Sequence, residues 1–112
     1  MGTDVGGGTS FNMLQTLADG YKVQQLKGHN LSPEQSFYLA TLGGAKTLDM
    51  DDRIGNFEPG KEADFLLLDP KATDLLAFRT SHCEHWRDLI FVLQTLGDDR
   101  VIAQTNVLGV ST

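Results

Sequence analysis

Helical spacing of apolar residues dominates this chain and limits what it can fold into. Apolar positions recur every three or four residues over residues 11–26, 33–42 and 84–96, which predicts three helices. Only residues 63–69 and 101–110 have the composition of strands, and two or three strands alone make a marginal sheet. We therefore predict an α+β fold in which three or four helices pack on a small, incomplete sheet.

Capping residues indicate where the helices begin. Thr9 and Ser10 are both good N-caps and are predicted to start the first helix. Ser32 is the predicted cap of the second helix, because Pro33 suits the first helical position and Gln35 completes a capping box.

Glycine and proline indicate the breaks between elements. The glycines at 43–44 are predicted to end the second helix, with a short further helical turn over residues 45–50. The Pro-Gly pair at 59–60 fits the centre of a type II turn. Residues 71–81 show little pattern and are expected to form a loop.

The composition is that of one acidic domain. The chain has 112 residues and a net charge of −6, so it is less than half the size of a (β/α)8 barrel and it repels polyanions. We therefore expect neither a nucleic acid nor a membrane as a partner. One cysteine, Cys83, permits no internal disulfide, and no secretory signal is visible at the start, so a cytoplasmic location is predicted.

Asp4 is the first candidate for a catalytic residue. It is followed by Val5 and three glycines and then by a helix, which is the pattern of a carboxylate at a strand tip where the backbone turns sharply. Catalytic groups of βα-barrel enzymes lie at such tips. The alternative is an exposed loop acid without a role.

A His-x-x-His pattern near a helix start is a second candidate. His82 and His85 would share one face of a helix and, with Cys83, suggest a small metal-binding protein as one hypothesis. The alternative is a solvated first turn of the helix that follows.

Four segments, in order along the chain, resemble the guanine deaminases of the amidohydrolase superfamily. Gly-Thr-Asp-Val at 2–5 resembles the end of the eighth barrel strand, and Leu-Ala-Thr-Leu-Gly-Gly-Ala-Lys-Thr-Leu at 39–48 resembles a following helical segment. Arg-Ile-Gly-Asn-Phe-Glu-Pro-Gly-Lys-Glu-Ala-Asp-Phe-Leu-Leu-Leu-Asp at 53–69 resembles the superfamily signature that leads into the small β-domain. Leu-Gly-Asp-Asp-Arg at 96–100 is similar to the C-terminal segment of the family.

The resemblance implies the C-terminal quarter or so of a zinc hydrolase that deaminates guanine to xanthine and ammonia in purine catabolism. Residues 1–50 would hold the last barrel strand tip, its helix and the following helices, which together make the last βα unit. Residues 51–112 would hold the return strands of the β-domain, with a helix at about 84–96. Asp4 matches the acid that ligates zinc and moves a proton, so it is the predicted catalytic and metal-binding residue.

The other zinc ligands of the family, including a His-x-His pair, match nothing in this chain, and His29, His82 and His85 receive no metal role from the resemblance. The isolated chain is therefore predicted to be inactive. It is expected to form a homo-oligomer or to associate with the catalytic portion of the enzyme. The competing hypothesis is a stand-alone, non-catalytic interaction module derived from the same fold.

Overall fold

Five helices and a three-stranded sheet make up the structure, a computed structural model that describes all 112 residues. The helices are α1 (Met13–Leu26), α2 (Pro33–Ala40), α3 (Leu42–Thr47), α4 (Asp74–Thr80) and α5 (Trp86–Leu96). A 3-10 turn at Asp99–Val101 leads into the sheet, whose strands are β1 (Phe65–Leu68), β2 (Ile102–Val107) and β3 (Val110–Ser111). None of the helices is both long and apolar enough to cross a membrane.

The start of α1 differs from the prediction. Asn12, rather than Thr9 or Ser10, caps this helix, because its side-chain oxygen accepts a hydrogen bond from the Leu14 amide at 2.9 Å. Ser10 supports the cap, since its hydroxyl accepts from the Asn12 amide at 2.9 Å. The other end of α1 is at Leu26, where the predicted apolar spacing ends, and Gly28 follows at a φ of +77°.

The capping box of α2 is confirmed. The Ser32 hydroxyl accepts from the Gln35 amide at 3.2 Å, and the Gln35 side chain accepts from the Ser32 amide at 3.0 Å. Two otherwise unpaired amides at the helix start are satisfied in this way.

The predicted break at the two glycines is wrong, because both lie inside α3. The chain bends two residues before Gly43, at Thr41, whose φ and ψ are −119° and −105°. Gly43 allows the bend: a Cβ at this position would lie 2.8 Å from the Tyr38 ring and 3.0 Å from the Tyr38 carbonyl oxygen. The missing side chain therefore lets α3 pack closely on the end of α2.

The prediction of a loop over residues 71–81 is also wrong, because α4 occupies most of this segment. Thr73 caps the helix, with its hydroxyl accepting from the Leu76 amide at 3.3 Å. Leu76 is 1% exposed and anchors the helix in the core. Only one of the seven residues of α4 is buried, so the sequence shows no helical spacing of apolar residues here. The helix therefore depends on its tertiary contacts.

The sheet is antiparallel throughout, in the order β1-β2-β3. Phe65 lies opposite Asn106, and Leu67 lies opposite Gln104. Leu108 and Gly109 turn the chain from β2 to β3 with φ values of +53° and +76°, as a tight hairpin turn requires. Strand β1 has a neighbour on one side only, so its other edge is unpaired.

The core is small for a chain of this length. Its main cluster consists of Leu14, Leu76, Val92, Leu93 and Val101, where α1, α4, α5 and the 3-10 turn meet. Eight apolar residues are buried, whereas 18 large apolar side chains are exposed. Exposed apolar surface on this scale is typical of a protein that packs against something else.

Candidate functional site

Asp4 lies in the loop that precedes α1 and is exposed to solvent. Its φ is +54°, a left-handed conformation that Asp tolerates better than most residues. Its carbonyl oxygen accepts hydrogen bonds from the amides of Gly7 and Gly8, at 3.0 and 2.5 Å. The chain is therefore folded back sharply over residues 4–8, as the sequence predicts, but residues 1–4 form no strand in this structure.

The glycines after Asp4 are required by close approach. A Cβ on Gly7 would lie 2.7 Å from Oδ2 of Asp4, and a Cβ on Gly8 would overlap the Thr3 carbonyl oxygen. Gly6 has a φ of +101°, which L residues rarely adopt. Each glycine thus serves a separate purpose in one tight loop.

The Asp4 carboxylate is open to an external group. None of the five ion pairs in the structure includes Asp4. An exposed carboxylate of this kind can accept a proton or offer an oxygen ligand to a cation.

A zinc ion does not fit the residues of this chain alone. Zinc sites in proteins use three or four ligands from the protein. The structure brings no three His, Cys, Asp or Glu side chains close enough to hold a metal ion. Asp4 offers at most one ligand to such a site.

The second candidate cluster is dispersed. The His82 ring packs edge-on against Phe78, with 5.1 Å between the ring centres, and the Cys83 thiol donates weakly to the Arg79 carbonyl oxygen at 3.8 Å. His85 is the N-cap of α5, and its amide donates to Asp88 Oδ2 at 3.1 Å. Residues 82–85 lie between α4 and α5, so His82 and His85 neither share a helix face nor form the first turn of α5, and no three-ligand metal site is present. His29 is exposed in the loop after α1.

An apolar cavity of about 540 Å³, which the sequence did not predict, lies between β1 and the α2–α3 bend. Phe37, Leu48, Phe57, Phe65 and Leu66 supply part of its lining. These residues come from segments far apart in the sequence, so only the fold reveals the cavity. It opens beside the strand whose edge is unpaired, where Leu66 is 50% exposed.

Charged residues away from Asp4 form local pairs. Hydrogen bonds from the Arg100 side chain and backbone lower the pKa of the Asp98 carboxyl below its ordinary value. Arg100 Nη2 lies 2.5 Å from Asp98 Oδ2, and the same pairing raises the pKa of the guanidinium. The Arg100 side chain is largely exposed and that of Asp98 is partly exposed, so the pair shapes the turn before β2 and contributes little to stability.

Guanine deaminases are among the known proteins with sequences similar to this chain. The chain is 59% identical over 109 residues to the guanine deaminase of Escherichia coli K12, and 39% identical over 118 residues to that of Homo sapiens. These alignments include 97% of this chain but only 25% and 26% of the two relatives. The chain thus spans about a quarter of the length of the curated relatives it matches.

Solved structures agree with the sequence comparison. The structure of E. coli guanine deaminase matches all of this chain with a TM-score of 0.96 and 57% identity, over 26% of its own length. A guanine deaminase from Bradyrhizobium japonicum matches 98% of this chain with a TM-score of 0.88 and 36% identity, over 30% of its own length. The resemblance stated from the sequence is confirmed.

The sequence profile of the Amidohydrolase family matches residues 1–111, which is nearly the whole chain. The match includes both the loop that carries Asp4 and the sheet. On this match and the two sets of relatives, the chain belongs to the amidohydrolase family.

Proposed function

We propose that this chain is the C-terminal portion of a zinc-dependent guanine deaminase, which hydrolyses guanine to xanthine and ammonia. The observation that carries the proposal is the match of the whole chain to E. coli guanine deaminase, at a TM-score of 0.96 and 57% identity. An exposed, unpaired Asp4 carboxylate on a sharp glycine loop supports it, because a catalytic acid must be reachable.

In this proposal Asp4 contributes to the active site in two ways. It offers one carboxylate oxygen as a metal ligand, and the same group accepts and returns a proton during hydrolysis. Zinc, its other ligands and the residues that bind guanine would be supplied by the rest of a deaminase chain. The chain alone then lacks a complete site and is inactive.

The partner of this chain, in the same proposal, is the catalytic portion of the deaminase. The apolar cavity beside β1 and the unpaired edge of that strand are the surfaces that it would cover. An uncovered apolar edge also promotes pairing between identical chains, so the isolated chain is expected to form homo-oligomers. The cytoplasmic location predicted from the single cysteine is part of this proposal.

A graft tests the catalytic part of the proposal. The segment of E. coli guanine deaminase that aligns with this chain is replaced by this chain, and guanine hydrolysis is measured with zinc present. We expect the graft to be active, the Asp4→Asn graft to lose at least about a hundredfold in kcat, and the Asp52→Asn graft to keep its activity. An inactive graft that folds, or an active Asp4→Asn graft, would refute the proposal. Turnover by the 112-residue chain alone would refute the predicted inactivity.

Sedimentation of the isolated chain tests whether the apolar, unpaired edge of β1 promotes self-association. We expect self-association that Leu66→Lys abolishes, because a charge on an edge strand opposes pairing. Leu26→Lys is the control, since Leu26 is 89% exposed at the end of α1 and away from the cavity. A monomer at high concentration would contradict the homo-oligomer. A self-associating chain combined with an inactive graft would favour the stand-alone interaction module.

A further inference from the structure

We propose that Gly7 is a positioning residue for the Asp4 carboxylate: its missing side chain leaves the space in which that carboxylate lies. The inference rests on the proposed function for its catalytic consequence, but the geometry stands without it. In this proposal Gly7 does not contact the substrate, and it acts only through the position of the Asp4 carboxylate.

The distances place the carboxylate directly over Gly7. A Cβ built on Gly7 would lie 2.7 Å from Oδ2 of Asp4, 3.3 Å from Cγ and 3.6 Å from Oδ1. Favourable contact between heavy atoms begins at about 3.5 Å. A methyl group at this position therefore forces the carboxylate to another rotamer or moves it outward.

The backbone of Gly7 does not itself require glycine. Gly6 has a positive φ, and a Cβ on Gly8 would overlap the carbonyl oxygen of Thr3, so alanine at either position strains the loop. Gly7 is not among the glycines with positive φ, and the three atoms nearest to a Cβ built on it all belong to the Asp4 side chain. Alanine at Gly7 is thus expected to leave the loop intact and to change the carboxylate alone.

The free space over Gly7 matters because no ion pair holds the Asp4 carboxylate in another position. The carboxylate is in no ion pair, and its residue is exposed. Misplacing a reacting group by about 1 Å can cost on the order of a hundredfold in rate. A Cβ at position 7 would exclude the carboxylate from this place, so glycine keeps the observed position available for proton transfer.

The rotamer of Asp4 is the first measurement. Three-bond couplings between Hα and Hβ of Asp4 are recorded by NMR in the 112-residue chain, for the wild type, Gly7→Ala and Gly2→Ala. We expect one dominant χ1 rotamer in the wild type and in Gly2→Ala, where a Cβ meets nothing within 4 Å, and a changed or averaged rotamer in Gly7→Ala. Wild-type couplings in a folded Gly7→Ala chain would overturn the inference.

Catalysis in the E. coli graft is the second measurement. Gly7→Ala is expected to lower kcat at least about tenfold with KM for guanine and the unfolding temperature unchanged. Thr9→Ala, in the same loop, is the control and should match the wild-type graft. Full kcat in Gly7→Ala overturns the catalytic part of the inference. An inactive wild-type graft would instead refute the proposed function, while the NMR result still decides whether Gly7 positions Asp4.

Discussion

The side-chain amide of Gln94 donates a hydrogen bond to the main-chain carbonyl oxygen of Leu17 at 3.2 Å. The bond joins α5 to α1 across 77 positions of sequence, and Gln94 is only 1% exposed. Its other polar atom, Oε1, is buried without a partner. A buried polar atom without a hydrogen bond costs about 1–3 kcal/mol, so Gln94 both links the two helices and destabilises their interface.

Substitutions of Gln94 should separate these two effects. Gln94→Met keeps the length of the side chain and removes the unpaired oxygen, so we expect a free energy of unfolding within about 1 kcal/mol of the wild type. Gln94→Glu introduces a carboxylate that burial opposes, and it should cost more than about 2 kcal/mol at pH 7. The cost should fall as the pH is lowered and the carboxyl becomes neutral. Urea unfolding measures the free energy of unfolding of both variants. A Gln94→Glu chain as stable as the wild type at pH 7 would contradict the burial of Gln94 between α1 and α5.

The N-cap of α1 provides a second prediction. Asn12→Ala removes the oxygen that accepts from the Leu14 amide and should lower the free energy of unfolding by about 1 kcal/mol. Thr9→Ala is the matched control, because Thr9 is exposed and lies outside the cap, and it should change stability by less than about 0.5 kcal/mol. Equal costs for the two substitutions would show that the cap extends further upstream.

Features set by a few neighbouring residues could be predicted from the sequence. The capping box of Ser32 and Gln35 and the turn at 59–60 fall into this group: Gly60 has a φ of +96°, as a type II turn requires. The combination of helices with a small sheet was predicted because α1 and α5 have apolar residues at helical spacing and residues 63–69 and 101–110 have the composition of strands. The assignment of residues 1–50 to the last βα unit of a barrel remains a prediction.

Features that depend on contacts formed only in the folded chain could not be predicted. Helix α4 has too few buried residues to show a helical spacing of apolar positions in the sequence, and it depends on the packing of Leu76 in the core. The bend before α3 occurs at Thr41 because Gly43 can approach Tyr38, a contact that no local pattern reports. Asp4 was identified from its glycines, but the position of its carboxylate over Gly7 could be seen only in three dimensions.

The ion pair between Glu34 of α2 and Arg87 of α5 provides a prediction about pH. The Glu34 backbone amide, the Ser32 hydroxyl and the charge of Arg87, in that order, lower the pKa of the Glu34 carboxyl below its ordinary value of 4.5. Because the folded pKa is the lower one, the stabilisation is complete above the unfolded pKa and is lost as the pH falls through the folded value.

The stability difference between the wild type and Glu34→Gln should therefore be constant above about pH 5.5 and should shrink steadily below about pH 4.5. Unfolding by urea from pH 2.5 to 7 measures it. Glu84→Gln is the control, since Glu84 is exposed and is in none of the five ion pairs. A difference that grows as the pH falls would have the wrong sign for a lowered pKa.

Gly43 and Gly44, the two glycines of α3, provide a matched pair of alanine substitutions. A Cβ on Gly43 would lie 2.8 Å from the Tyr38 ring and 3.0 Å from its carbonyl oxygen, whereas a Cβ on Gly44 meets only the Leu39 carbonyl oxygen at 3.5 Å. Alanine is favoured over glycine inside a helix by about 1 kcal/mol, so Gly44→Ala should be neutral or stabilising.

Gly43→Ala should lose that advantage, because the ring of Tyr38 can move aside but its backbone must shift to admit a methyl group. We expect Gly43→Ala to be less stable than Gly44→Ala by at least about 1 kcal/mol in urea unfolding. The double variant Gly43→Ala/Tyr38→Ala distinguishes the two contacts: it should recover the part of the loss that the ring causes and retain the part that the backbone causes. Equal stability of the two single variants would mean that the α2–α3 bend does not depend on close approach at Gly43.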